Sequence, residues 1–107
     1  MFFVVIGHDK PGMLETRIKV RPVHRDYVTR LDLKAVRLLG GPLTEDDSET
    51  MFGTFLFLEA ENREAVEEFV ANDPYVKAGI FESMDIYAIH KDIVKMAGPL
   101  RAAQGLA

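Results

Sequence analysis

Cysteine is missing from all 107 positions of the sequence. Disulfide staples and thiolate metal sites are thereby excluded, and a cytoplasmic address fits easily. Long apolar runs are missing too. The opening Met1-Phe2-Phe3-Val4-Val5-Ile6 is apolar, but it lacks a basic leader and Gly7-His8-Asp9 stops it at once. It is too short for a signal peptide or a membrane span. Positive charge is the scarcer sign: 13 Lys and Arg stand against 17 Asp and Glu, a formal net charge of -4, and no long stripe gathers the cations. That balance argues against a general nucleic-acid binder. The sequence has no phosphate-binding glycine loop and no nucleophile elbow. No pair of His or carboxylate residues has convincing metal-ligand spacing, so no metal is expected. No internal repeat or linker splits the chain.

What is present describes one soluble globular domain: 48% hydrophobic and 28% charged residues. A chain of this length buries about two thirds of its extended surface on folding, which suffices for one core. Phe2 to Ile6, apolar and β-branched, predicts a buried strand. Met13 to Lys19 predicts a helical turn or irregular chain. Arg21-Pro22 resembles a helix start, because proline suits the first helical turn. Val23, Tyr27, Leu31, Ala35 and Leu38 then recur at helical spacing, and the helix is placed at about Pro22 to Lys34. A short strand is expected from Val36 to Leu39, ended by Gly40-Gly41-Pro42. The acidic stretch Thr44 to Thr50 reads as a solvated hairpin connection; it lacks the ligand alternation and central glycine of a calcium loop. Met51 to Ala60 is the strongest strand signal, with Phe52, Phe55, Leu56, Phe57 and Leu58. Asn62 is suited to cap a helix running to about Ala71, with Ala65, Val66, Phe69 and Val70 as its core stripe. Asn72-Asp73-Pro74 ends it. Ile80 to Ile89 predicts the last strand, and residues 1–89 the domain. His90 to Ala107 is a tail in which Ile93, Val94 and Ala97 suggest one helical segment.

The order strand, helix, strand, strand, helix, strand predicts an α+β, ferredoxin-like fold: a four-stranded antiparallel sheet with both helices on one face. The uncovered face should then be polar in a monomer. It is not. Phe2, Val4 and Ile6 point one way and Phe3 and Val5 the other, while Phe55 and Phe57 oppose Leu56 and Leu58. An exposed apolar face of that size calls for a partner, so a homodimer or larger homo-oligomer is expected. The alternative is a tail folded back over the face.

Among chemistry-bearing residues, His24 shares a side with Val28 and Leu31 and is placed in the first turn of the first helix, turned toward the sheet or its rim. It is a candidate proton carrier, or a structural histidine bonded to a carbonyl. Asp73, before Pro74, is a candidate partner carboxylate or a turn cap. Asp9 is a site or loop residue; Tyr75 a site hydroxyl or a core-edge aromatic; Arg17 and Arg21 are candidate anion holders or solvated surface. His8 and His90 read as exposed strand-end residues. The helices are expected to run parallel, which would put His24 and Asp73 at distant ends unless the Asn72–Gly79 segment folds back.

Arg21-Pro22-Val23-His24 resembles the R-P-x-H segment of YciI-like (YCII-related) proteins. Arg37-Leu38-Leu39-Gly40-Gly41-Pro42 resembles their R-L-L-x-x-G-P turn, and Asp73-Pro74-Tyr75-Val76-Lys77-Ala78-Gly79-Ile80 their D-P-Y-V-x-A-G-V/I segment. Val4-Val5-Ile6-Gly7-His8-Asp9 is similar to their first strand and its trailing aspartate. Four such pieces, in order, span roughly Met1 to Ala88. The resemblance implies a dimeric α+β barrel and a pocket with a histidine–aspartate pair, carried onto His24 and Asp73 as catalytic candidates. Asp9, Arg21 and Tyr75 are the substrate-binding candidates. Relatives of this type include one that eliminates chloride from a chlorinated hydroxyquinol, and the wider superfamily holds muconolactone isomerases and cofactor-independent monooxygenases. The reading that follows is acid–base chemistry on a small cyclic or aromatic molecule, with no cofactor required. A non-catalytic ligand-binding or assembly module is the alternative.

Overall fold

In the computed structural model, which describes residues 1–106, four strands form one antiparallel sheet in the order β2-β3-β1-β4. The strands are β1 (Phe2–Asp9), β2 (Ala35–Thr44), β3 (Met51–Ala60) and β4 (Phe81–Ile89). The helices are α1 (Leu14–Val28), α2 (Arg63–Ala71), the single turn α3 (Pro74–Lys77) and α4 (Val94–Ala103). The expected ferredoxin-like architecture is therefore observed, with one short helix and a helical tail added.

Pleat alternation divides the sheet as the apolar pattern requires. Phe3, Val5, Leu56 and Leu58 face α1 and α2 and pack with Val28, Ala65, Val66 and Phe69. Phe2, Leu38 and Phe57 line the opposite face, where Ala97 of α4 packs on them. The tail thus lies over part of the face that α1 and α2 leave bare. Arg101 of α4 pairs with Glu59 of β3 and anchors it further.

Three expectations need correction. The first helix begins eight residues earlier than Pro22 and ends before Lys34. Pro22 lies inside α1, where it forgoes its bond to the carbonyl of Ile18. Ile18 is 55% exposed and Pro22 is exposed too, so that side of the helix faces water. Leu31, counted in the helical stripe, is exposed beyond the helix end, while Ala35 and Leu38 belong to β2. Second, β2 continues through Gly40-Gly41-Pro42 to Thr44. It is an edge strand, and an edge tolerates a residue that cannot donate to a ladder. Third, α1 and α2 are antiparallel. They return from β1 and β3, which are themselves antiparallel. Tyr27 of α1 accordingly donates to the Phe69 carbonyl of α2 while His24, one turn earlier, meets Asp73 just past the end of α2.

Candidate active site

The inward face of α1 carries a polar stripe. Arg17, Arg21, His24 and Val28 follow at spacings of four, three and four residues, one side of a helix. Arg17 is 1% exposed, deeper than an arginine is found unless it is paired. Its guanidinium makes a two-pronged ion pair with Asp9, Nε to Oδ2 and Nη2 to Oδ1, both 2.7 Å. Nη2 also donates to Thr54 Oγ1 at 2.8 Å. Asp9 ends β1 and Thr54 sits in β3, so this cluster ties α1 to the two central strands.

One segment places the other half of the site. Asn72 closes α2, and Asp73 then caps α3, its Oδ1 accepting the Tyr75 backbone N–H at 2.9 Å. Pro74 occupies the first helical position, where its missing donor costs nothing. Gly79 ends the turn at φ 71°, a left-handed conformation that favours glycine. The Gly79 N–H donates to the Val76 carbonyl and the Ile80 N–H to that of Tyr75, which satisfies the end of the turn. This short helix turns Asp73 and Tyr75 inward: both are 1% exposed.

His24 Nδ1 lies 2.7 Å from Asp73 Oδ1. Asp73 Oδ2 is buried with no hydrogen-bond partner among the described residues. The Tyr75 ring stacks on the His24 imidazole, centroids 3.8 Å apart and planes 12° from parallel. The Arg17 guanidinium carbon stands 4.5 Å from the centre of the same ring. Burial raises the Tyr75 phenol above its ordinary pKa, against the opposing charges of Arg17 and Arg21. With Nδ1 engaged, Nε2 is the imidazole nitrogen left for a ligand.

A cleft of about 260 Å³ opens beside these groups, lined by Arg17, Arg21, His24, Tyr75 and the Arg37–Pro42 part of β2, among others. A groove of about 710 Å³ between α1 and α2 is larger, but neither His24 nor Tyr75 lines it. The smaller cleft holds the chemistry. Of the sequence candidates, His24, Asp73 and Tyr75 come together, and Arg21 lines the same cleft. Asp9 does not line it; it sits behind, holding Arg17. His24 stands in the second half of α1, not its first turn.

Sequence reasoning passed over Arg37 and Thr54 as site residues, and read Arg17 as an anion holder or solvated surface where the structure buries it in an ion pair with Asp9. The regular spacing Arg17, Arg21, His24 was the available signal, since it requires all three to share one face. Among the described residues no group of three or more His, Cys, Asp or Glu side chains is arranged to hold a metal ion, and no helix is long and apolar enough to cross a membrane.

Comparison with known proteins agrees with this fold. The protein YciI of Escherichia coli O6:H1 is 31% identical over 96 residues, covering 85% of this chain and 98% of YciI. A protein of Haemophilus influenzae matches with the same identity and coverage. Among solved structures, 5-chloro-2-hydroxyhydroquinone dehydrochlorinase (TftG) from Burkholderia phenoliruptrix AC1100, in complex with 2,5-dihydroxybenzoquinone, superposes with a TM-score of 0.72 at 36% identity, covering 83% of this chain and 93% of that one. The family model for the YCII-related domain matches residues 1–90, and the chain belongs to that family.

Proposed function

We propose that this protein is an enzyme that moves a proton on a small cyclic or aromatic molecule, with His24 as the acid–base group and Asp73 as its support. The carrying observation is the 2.7 Å contact between His24 Nδ1 and Asp73 Oδ1 beside an open cleft. A neutral imidazole that donates from Nδ1 to the carboxylate presents the lone pair of Nε2, which is the form a general base needs. Once Nε2 takes a proton, Asp73 faces the charge on the ring. The Tyr75 N–H holds Asp73 in place, and the Tyr75 ring fixes the plane of the imidazole. The likeness to a dehydrochlorinase of a hydroxylated ring supports the substrate class.

The test is chloride release from 5-chloro-2-hydroxyhydroquinone, the compound on which the structural neighbour acts, together with a thermal-shift screen of related rings. Turnover by the wild type and a loss of roughly 10²–10⁴-fold in His24→Ala and in Asp73→Asn is expected, with the double variant little worse than either. A His24→Ala protein as fast as the wild type counts against the reading.

Self-association belongs to the same proposal. On the face that α4 only partly covers, Leu39 and Tyr87 remain 51% and 55% exposed, beside half-buried Val4 and Ile6. A second copy of the chain is the partner that such a face fits. A monomer mass by light scattering at micromolar concentration would remove this part.

A further inference from the structure

We infer that the cleft is built for a ring bearing an acidic enol or phenol in its anionic form, and that Arg37 and Arg25 hold that oxygen across from His24. The inference rests on the acid–base reading above and names the substrate class for it.

Charge is the first observation. The chain is net acidic, yet four of its seven arginines line this one cleft, and no Asp or Glu does. Arg17 is occupied by Asp9 and Thr54. The side chains of Arg21, Arg25 and Arg37 make no ion pair or hydrogen bond among the described residues. An exposed arginine left so is merely solvated. Arg37 is different: it is half-buried, and its Nε is shut from water with no acceptor. Burial first, and then the like charge of Arg25, push its guanidinium below the ordinary pKa. Two guanidinium groups facing one cleft, one of them half-buried and neither with a counter-charge, are costly as they stand, and an anion in the cleft would offset their repulsion.

Geometry is the second observation. In β2, Arg37 pairs with Leu58 and Leu39 with Phe57, so Leu38 is one residue extra and the strand bulges. The bulge returns Gly40 to the helix-covered face that Arg37 shares, opposite Leu56. A Cβ on Gly40 would stand 2.7 Å from the Phe55 carbonyl oxygen and 3.1 Å from Arg37 Cδ. Glycine there leaves room for the arginine stem to lie in the cleft wall. A planar guanidinium fork suits the oxygens of an enolate, phenolate or similar delocalised anion. A cleft of about 260 Å³ suits a single ring.

Titration calorimetry with 2,5-dihydroxybenzoquinone and its neutral ether 2,5-dimethoxybenzoquinone separates charge from shape. The former is a vinylogous acid and is anionic at neutral pH. Wild type should bind it about tenfold or more tightly than the ether, and added salt should weaken it selectively. Arg37→Gln should abolish most of that preference; Arg25→Gln, at an exposed position that leaves folding intact, should reduce it several-fold. Equal affinity for the two quinones, binding of neither, or a preference untouched in both variants overturns the inference. The two readings fail separately. An anion preference that needs Arg37, in a protein whose turnover ignores His24, leaves the anion site standing without the dyad. Turnover that needs His24, in a protein with no anion preference, leaves the dyad without the anion site.

Discussion

The guanidinium of Arg17 lies over the ring of Tyr75, which also stacks on His24. Arg17 and His24 are two turns apart on α1, about 10 Å along the axis. The Tyr75 ring fills the space between them. A buried cation, an aromatic ring and an imidazole are thus packed in series, and the one-turn helix α3 supplies the middle member.

Truncating that member tests the series. Tyr75→Ala should destabilise the protein by about 3–5 kcal/mol, as removal of a fully buried aromatic does. It should also lower activity, because His24 loses the surface that fixes its plane. Tyr75→Phe keeps both stacks and should unfold near the wild-type denaturant midpoint. If its activity also stays near wild type, the ring is the working part; if activity falls with stability intact, the hydroxyl takes part in the chemistry. Urea unfolding beside turnover measures both, and a Tyr75→Ala protein as stable as the wild type would refute the packing argument.

Much of this was legible in the residues, and the parts that were not share a cause. β1 and β3 show themselves through apolar runs (Phe2–Ile6, Phe55–Leu58), β4 through its apolar second half (Ile86–Ile89), and α2 through a helical stripe and the Asn62 cap, whose side chain accepts from the Ala65 N–H at 2.9 Å. The first half of α1 does not, because the residue it turns inward is Arg17, and a charge reads as surface. Pro22 then imitates a helix start. The apparent distance between His24 and Asp73 came from taking the helices as parallel. Antiparallel β1 and β3 reverse one of them, and α3 brings Asp73 across. Arg37 escaped notice as a site residue, and the burial of Arg17 was not foreseen, for one reason: burial of a guanidinium is decided by distant strands, not by its neighbours in sequence.

Alkaline pH offers a check on the contact between α1 and α2. The Tyr27 phenol donates to the Phe69 carbonyl at 2.8 Å, and its pKa is pushed up to about 12, by burial first and then by the charge of Asp73. In the unfolded chain the same phenol ionises near 10. Between about pH 10 and 12 the unfolded chain has lost a proton that the folded one keeps, so stability present below pH 10 falls as pH rises. Other groups titrate in that range, and comparison with Tyr27→Phe isolates this one. The variant should lose about 1 kcal/mol at neutral pH and show a shallower alkaline decline. Denaturant midpoints measured every half unit above pH 9 give both slopes, and identical slopes would show that Tyr27 is not the group responsible.

The tail makes the last prediction. Ala97 of α4 is buried against Phe2, Leu38 and Phe57, so removing residues 91–107 uncovers three large apolar side chains. The four strands, α1 and α2 lie within residues 1–90, so the shortened chain should keep the far-ultraviolet dichroism of a folded α+β protein, lowered only by the loss of the ten-residue α4. It should melt lower, each kcal/mol of lost docking showing as roughly 4–8 °C. Its mass by light scattering should change, because the uncovered face adds to the surface available to a second copy. Ala97→Asp in the full chain is the complementary variant. A charge buried there without a partner would cost about 3–5 kcal/mol, but α4 can detach instead, so the loss is capped by the docking free energy of the helix. The two proteins should therefore converge on the same melting temperature. A truncated chain that melts and sediments like the wild type would show that α4 does not cover the face in solution, and one with no secondary structure left would show that it is part of the folding unit.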